Sequence, residues 1–360
     1  MEIWVPYGEV ESLLTLQAEN MGELIDPTPE GHTEELAQIL RDRSKGHSKI
    51  LLCDERPGTL KLIRSFSQFV PQDGSVKLFS TNPKAVESAI PELKGRVLKV
   101  IPPAIDSSEV MLSPELADGD SFVIATGEPD PLLGYVDARA AAALLFSPGS
   151  RRAAYESREG DTLRELEETR AHHTLVSRLE GLHGTSYATV VTRGGEPYAL
   201  IEGGAKDARA HFSTQQLNPA KGVVVGAGGR GYDNTFSNSL RLMMGALKAV
   251  RKGGDILLVA ECRDGIGSEA LQMQAEKRLG DGNLRKAFYA DGMEELGYLS
   301  ALKEDYSVTM LTSLPDLYSS GRFGFKTAKN ASEALQKVFS SAGRGAKLHV
   351  ITRAPETLLS

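Results

Sequence analysis

Residues 222–268, GVVVGAGGRGYDNTFSNSLRLMMGALKAVRKGGDILLVAECRDGIGS, constrain this chain more than any other stretch. A β-branched run at Val223, Val224 and Val225 leads into a glycine-rich turn. An amphipathic segment, a second apolar run from Ile256 to Ala260 and a polar glycine loop follow. That order predicts strand, helix, strand, and a right-handed crossover makes the two strands parallel neighbours in one sheet. Ligands of open parallel sheets sit beyond the carboxyl ends of the strands. Both such ends here, 226–234 and 261–268, are polar and rich in glycine, so half of any site is expected there.

Gly226, Gly228 and Gly231 have the spacing of a dinucleotide-binding turn between a strand and a helix. Gly228 and Gly229 are accordingly candidate cofactor contacts. The fingerprint also requires an acidic residue closing the second strand, roughly 20 residues beyond the glycines. Glu261 instead lies 30 residues after Gly231, and Asp255 precedes that strand. Asp233 or Asn234 is the expected N-cap, which makes the turn longer than the dinucleotide type. A nucleotide cradle stays open as one reading; glycine that merely permits tight backbone curvature is the other.

At 360 residues the expectation is two α/β domains, and 41% apolar with 25% charged residues is enough to build sizeable cores. A net charge of −7 argues against nucleic acid or an anionic membrane as the main partner. Cys53 and Cys262 are too few for a disulfide scaffold or a cysteine zinc site, which fits a reducing cytoplasm. The opening residues lack a basic region followed by an apolar one, and the longest apolar run, 140–146, is too short to span a bilayer.

Along the chain, residues 3–5, 49–53, 76–80, 97–101 and 121–126 read as strands. Helical patterns stand at 33–43, near Leu60, Ile63 and Phe66, at 84–93 and at 137–146. The charged run 151–170 reads as a solvated helix. Residues 187–192 and 198–201 flank a strong hairpin turn, 203–216 looks helical, and 217–222 has linker composition. Further strands are expected at Val223, Ile256, Val308 and Leu348. The expectation is therefore an α/β fold of two domains, 1–216 and 217–360, with mixed, largely parallel sheets.

None of the seven histidines lies between Ser48 and Ala171, so the loops after the first-half strands carry no imidazole to titrate or to ligate. His172 and His173 sit in a charged segment and are expected to face solvent. The polar groups left on the loops are Asp54, Glu55 and Arg56; Asn82 and Lys84; Glu128 and Asp130; Asp137 and Arg139; and Asn238 and Arg241. Asn238 and Arg241, three apart, share a helix face, and an arginine fork suits a carboxylate or phosphate. For each there is also a structural role: Asp54 as a cap for a helix starting near Thr59, Lys84 and Arg139 as surface charges, Asn238 as an exposed polar residue. Lys84 and Asp130 are expected to be exposed loop positions.

Taken together, VVVGAGGRGYDNTFSNSLRLM, GGDILLVAECRDGIGSE, VTMLTSL and AKLHVIT resemble, in order and spacing, segments of the nickel-pincer lactate racemase family. The resemblance runs more faintly through the first half. It implies a two-domain α/β protein with an inter-domain cleft, in which a lysine-tethered nickel pincer isomerises 2-hydroxy acids with the help of histidines. Carried over residue by residue, the family's Asp-His-Thr-Arg-Pro loop falls on Asp54, Glu55, Arg56 and Pro57, one residue short. Its two catalytic histidines fall on Lys84 and Asp130. The loop carrying its tethering lysine falls on 134–140, Gly134 to Ala140 with Arg139 among them, which leaves Ala140 in place of the lysine. Its glutamine and lysine fall on Asn238 and Arg241.

The resemblance thus assigns Lys84, Asp130, Asn238 and Arg241 to catalytic positions, and Asp54, Arg56, Arg139, Gly228 and Gly229 to cofactor-binding ones. A covalently bound nickel pincer is not expected, and the cofactor is left unknown. Three readings follow: a lactate racemase-like protein that binds, and as an enzyme would isomerise, a small anionic molecule of the 2-hydroxy acid type; a non-catalytic regulatory or subunit-type relative; and a nucleotide-binding protein. No nucleic acid or membrane partner is expected, and a homo-oligomer is left open.

Overall fold

The computed structural model describes residues 1–71, 75–101, 120–146, 148–157, 170–179, 184–279 and 289–359. These fall into two compact units, 28–212 and a discontinuous one made of 1–27 and 213–360. The first 27 residues, expected with the N-terminal domain, form β1 (Glu2–Tyr7), β2 (Val10–Thr15) and β3 (Met21–Ile25) and belong to the other unit.

The unit 28–212 contains α1 (Thr33–Arg43), β4 (Lys49–Leu52), α2 (Pro57–Ser67), β5 (Lys77–Ser80), α3 (Pro83–Ala89), β6 (Val97–Lys99) and β7 (Ser121–Thr126). It continues with β8 (Glu128–Asp130), β9 (Gly134–Val136), α4 (Ala138–Phe146), α5 (Pro148–Ser157), α6 (Arg170–Val176), β10 (Thr185–Arg193), β11 (Glu196–Ile201) and α7 (Ala205–Arg209). Its main sheet runs β11-β10-β7-β4-β5-β6, parallel except for the β10–β11 hairpin. Ile50 and Leu52 face one apolar layer with Leu40, Ile63 and Phe66 of the helices, whereas Leu51 faces another with Ala140, Ala143 and Leu175. A strand buried on both faces reads as an unbroken apolar run, which is why β4 was legible without alternation. Of the charged run, residues 158–169 lie outside the described ones, as does His183.

The discontinuous unit adds β12 (Ser213–Gln215), β13 (Ala220–Gly226), α8 (Phe236–Gly245), β14 (Val250–Val259), α9 (Glu269–Ala275) and α10 (Met293–Asp305). Then come β15 (Ser307–Leu311), α11 (Asp316–Ser319), β16 (Lys326–Ala328), α12 (Ala331–Ala342), β17 (Leu348–Ile351) and β18 (Thr357–Leu359). Its six-stranded sheet, β16-β15-β14-β13-β17-β3, is parallel throughout. Val223, Val225, Ile256 and Leu258 pack against α8 and α10; Val224, Leu257 and Val259 pack against Leu335 and Val338 of α12 and against Ile3, Val5 and Leu14 of the β1–β2 hairpin. The helix expected over 203–216 is confined to α7, because 213–215 pair with β18, and tertiary pairing overrides a weak helical pattern.

The hairpin tip reaches the carboxyl edge of this sheet. Fully buried Asp233 accepts through Oδ2 from the Gly8 amide at 2.7 Å and from the Glu261 amide at 3.0 Å, tying together three segments distant in sequence. Gly8 itself has φ +55, and a Cβ there would run into the Glu261 carboxylate. The expected capping role of Asp233 or Asn234 falls to Thr235, whose side chain accepts from the Asn238 amide at 3.3 Å. Among the described residues no helix is long and apolar enough to cross a membrane.

Replacing Asp233 by Ala strands two buried amides, at about 1–3 kcal/mol each. Asp233→Ala is expected to cost roughly 2–5 kcal/mol in urea unfolding, with Asp233→Asn well below it because one acceptor oxygen survives.

Candidate functional site

At the carboxyl edge of the all-parallel sheet, the first turns of α8 carry Asn238 and Arg241 side by side. The Arg241 guanidinium donates from Nη2 to Asn238 Oδ1 at 2.6 Å, and its Nε stands 3.5 Å from Glu295 Oε1 of α10. Glu295 is 2% exposed and Arg241 23%, so the cation reaches solvent while its counter-ion does not. Glu295 also accepts from Ser237 Oγ at 2.6 Å and from Ser268 Oγ. Desolvation raises the Glu295 carboxyl above the ordinary glutamate range; Arg241 opposes this and the adjacent Glu294 adds to it. The result is an arginine fixed in place by a helix neighbour and a buried carboxylate, a suitable geometry for presenting N–H groups to a planar anion.

Gly228 and Gly229, with φ +94 and +75, lie in the turn after β13. Five amides of that turn are committed within the protein. Arg230 donates to Gly8 O at 2.7 Å, Gly231 to Asn234 Oδ1 at 3.1 Å, Ala227 to Val259 O at 3.0 Å, and Tyr232 and Asp233 to Gly229 O at 2.9 and 3.0 Å. A Cβ on Gly229 would stand 2.9 Å from Pro6 Cβ. The glycines therefore serve close approach of the hairpin, and the amides at 227 and 230–233 are bonded within the protein.

In the unit 28–212, the loops after β4 and β7 bring Asp54, Arg56 and Glu128 together. Arg56 Nη2 donates to Glu128 Oε1 at 2.9 Å. Asp54 accepts from the Arg56 amide at 2.9 Å and the Thr126 amide at 2.6 Å. It does not cap α2, which starts at Pro57 with Arg56 as its N-cap. Burial pushes the Asp54 carboxyl up to about 6, against the pull of Arg56 and those amides. Glu55 accepts from Ser80 Oγ at 2.8 Å, and Asn82 caps α3 through the Ala85 amide. Lys84 is exposed. Arg139 lies over the Tyr187 ring, its carbon Cζ 5.9 Å from the centroid, and its Nε has no hydrogen-bond partner among the described residues.

Two expectations are corrected. Asp130 is not an exposed loop residue: it is 4% exposed, accepts from the Leu132 and Leu133 amides at 2.9 and 3.0 Å, and has Arg151 Nη2 at 4.0 Å. The unforeseen β8–β9 hairpin buries it, and its carboxylate closes the turn. His172 does not face solvent either: it is 3% exposed, with Nε2 at 3.5 Å from Oδ1 of Asp137, which caps α4 through the Ala140 amide. Neither thiol is poised as a nucleophile, since burial pushes Cys262 up to about 11 and Cys53 well above its ordinary value. Glu295, Ser237 and Ser268 were missed. The pair Glu294-Glu295 opens α10 as any solvated acidic first turn does, and only packing distinguishes it.

Asp130→Ala is expected to destabilise the protein by roughly 2–4 kcal/mol, since two buried amides lose their acceptor. Lys84→Ala, at an exposed position, is expected to stay within about 0.5 kcal/mol of wild type in the same denaturant titration.

Comparison with known proteins adds to this geometry. Residues 215–355 match the family described as lactate racemase C-terminal domain, which covers Asn238, Arg241 and Glu295. No curated protein matches. Among solved structures, the lactate racemase apoprotein from Thermoanaerobacterium thermosaccharolyticum is similar over 100% of both chains, with a TM-score of 0.72 at 17% identity. A protein from Thermotoga maritima is similar over 96% of this chain and 100% of its own, with a TM-score of 0.56 at 11% identity. The chain thus has the α/β fold of lactate racemase along its whole length, and its residues 215–355 are similar to the lactate racemase C-terminal domain.

Proposed function

We propose that this lactate racemase-like protein binds a small anion of the 2-hydroxy acid type at Asn238 and Arg241, without a covalently tethered nickel pincer. The observation that carries the reading is Arg241 itself: a part-exposed guanidinium at the carboxyl edge of a parallel sheet, held by Asn238 and Glu295. A carboxylate accepts two parallel N–H bonds from such a fork, and the adjacent asparagine amide offers a donor or acceptor to a 2-hydroxyl.

The pincer does not fit the residues present. Position 140, where the resemblance puts the tethering lysine, is an alanine of α4 that is fully buried in an apolar layer. Among the described residues no three His, Cys, Asp or Glu side chains are grouped to hold a metal ion. The nucleotide reading is disfavoured by the committed amides at 227 and 230–233.

The test is a thermal-shift titration of the full chain with lactate, glycolate, sugar acids and nucleotides. A ligand that binds the folded state stabilises it by mass action. A 2-hydroxy acid is expected to raise Tm in wild type, and Arg241→Ala is expected to abolish the shift. A shift that survives Arg241→Ala, or one produced by nucleotides alone, would remove the reading.

A further inference from the structure

Glu295 receives donors from three separate elements: Ser237 of α8, Ser268 ahead of α9, and Arg241. Around it the backbone is close: a Cβ on Gly292 would stand 2.5 Å from Ser268 Cβ and 2.9 Å from Glu295 Oε2. The Arg241–Glu295 pair is neutral as a unit. An incoming carboxylate at Arg241 would leave two anions sharing one cation, with Glu295 unable to reach water. Repulsion of that kind disfavours the charged form of the buried partner.

From this we infer that Glu295 controls the charge Arg241 offers to a ligand, so that the anion is taken up together with one proton, which goes onto the Glu295 carboxylate. The inference rests on the reading of Asn238 and Arg241 as an anion site. The balance is simple: the anion brings −1, the proton brings +1, and the occupied site has the same net charge as the empty one. Both oxygens of Glu295 face serine hydroxyls, which donate to a carboxylate and, after rotation, accept from a carboxylic acid. Either protonation state is thereby satisfied without moving the backbone.

Glu294, also buried, stands beside this exchange and adds to the repulsion on Glu295. Among the described residues, the charged groups acting on Glu295 are Arg241 from α8 and Glu294 from its own helix. Ala270, Leu271 and Met273 are the buried residues of α9. Ile256 and Leu258 of β14 and Val308 and Met310 of β15 are in the apolar core shared with α10. Asp291 and Glu269 are exposed. Burial raises the Glu295 carboxyl in the empty site, the same direction as the ligand's charge acts.

The experiment uses the full chain with lactate as probe, between pH 5 and 8.5, where lactate stays anionic. Above the pKa of Glu295 in the empty site, Kd is expected to rise toward tenfold per pH unit. Calorimetry in buffers of different ionisation enthalpy is expected to show uptake approaching one proton per lactate. Glu295→Gln, neutral at all pH and still able to bond both serines, is expected to give a flat Kd that at pH 8 is tighter than wild type. A wild-type Kd independent of pH, with no proton taken up, overturns the inference while leaving the anion site standing. Absence of lactate, glycolate and sugar-acid binding by wild type and Glu295→Gln alike overturns the site reading and this inference with it. Should Glu295→Gln fail to fold, the calorimetric proton count on wild type decides alone.

Discussion

A single carboxylate, Asp233, holds the carboxyl edge of the all-parallel sheet together. By accepting from the amides of Gly8 and Glu261 it joins the tip of the β1–β2 hairpin to the loops after β13 and β14. The return bond from the Arg230 amide to Gly8 O fixes the glycine turn beneath the hairpin. Much else depends on this knot. It lets the N-terminal strands count as part of the C-terminal unit, and it turns a sequence with the spacing of a phosphate cradle into a structural clamp.

The alternation of strand and helix was legible because parallel strands buried on both faces leave uninterrupted apolar runs, as at Ile50 to Leu52 and Val223 to Val225. Helices with amphipathic spacing, such as α1 and α2, could be read for the same local reasons. What could not be read was non-local. Nothing near Met21 to Ile25 announces a strand that pairs with Leu348 to Ile351, and nothing near Ser213 announces a partner at Thr357. Asp130 and His172 were misjudged for that reason too: a polar residue in a polar segment carries no local sign that a small hairpin or a helix pair will bury it.

For the candidate site, Asn238 and Arg241 could be placed on one face from spacing alone, and their contact at 2.6 Å follows from that spacing. The counter-ion could not be found this way. Glu295 comes from a helix more than fifty residues further along, and its burial is set by the packing of α10 on α8 and β14. Whether an arginine is an open anion receptor or half of a neutral pair therefore depends on the fold, even where the arginine itself is plain in the sequence.

The parallel pairing of β3 with β17 also bears on the order in which the chain can assemble. During synthesis, every strand of the unit 28–212 has been made before residue 213 leaves the ribosome, so that unit can close while translation continues. The discontinuous unit cannot. Although β1 and β2 can pair at once, β3 must wait for its sheet partner through the making of roughly three hundred residues until β17 arrives, and a nascent chain of this topology carries Ile25 without that cover for nearly the whole of its elongation.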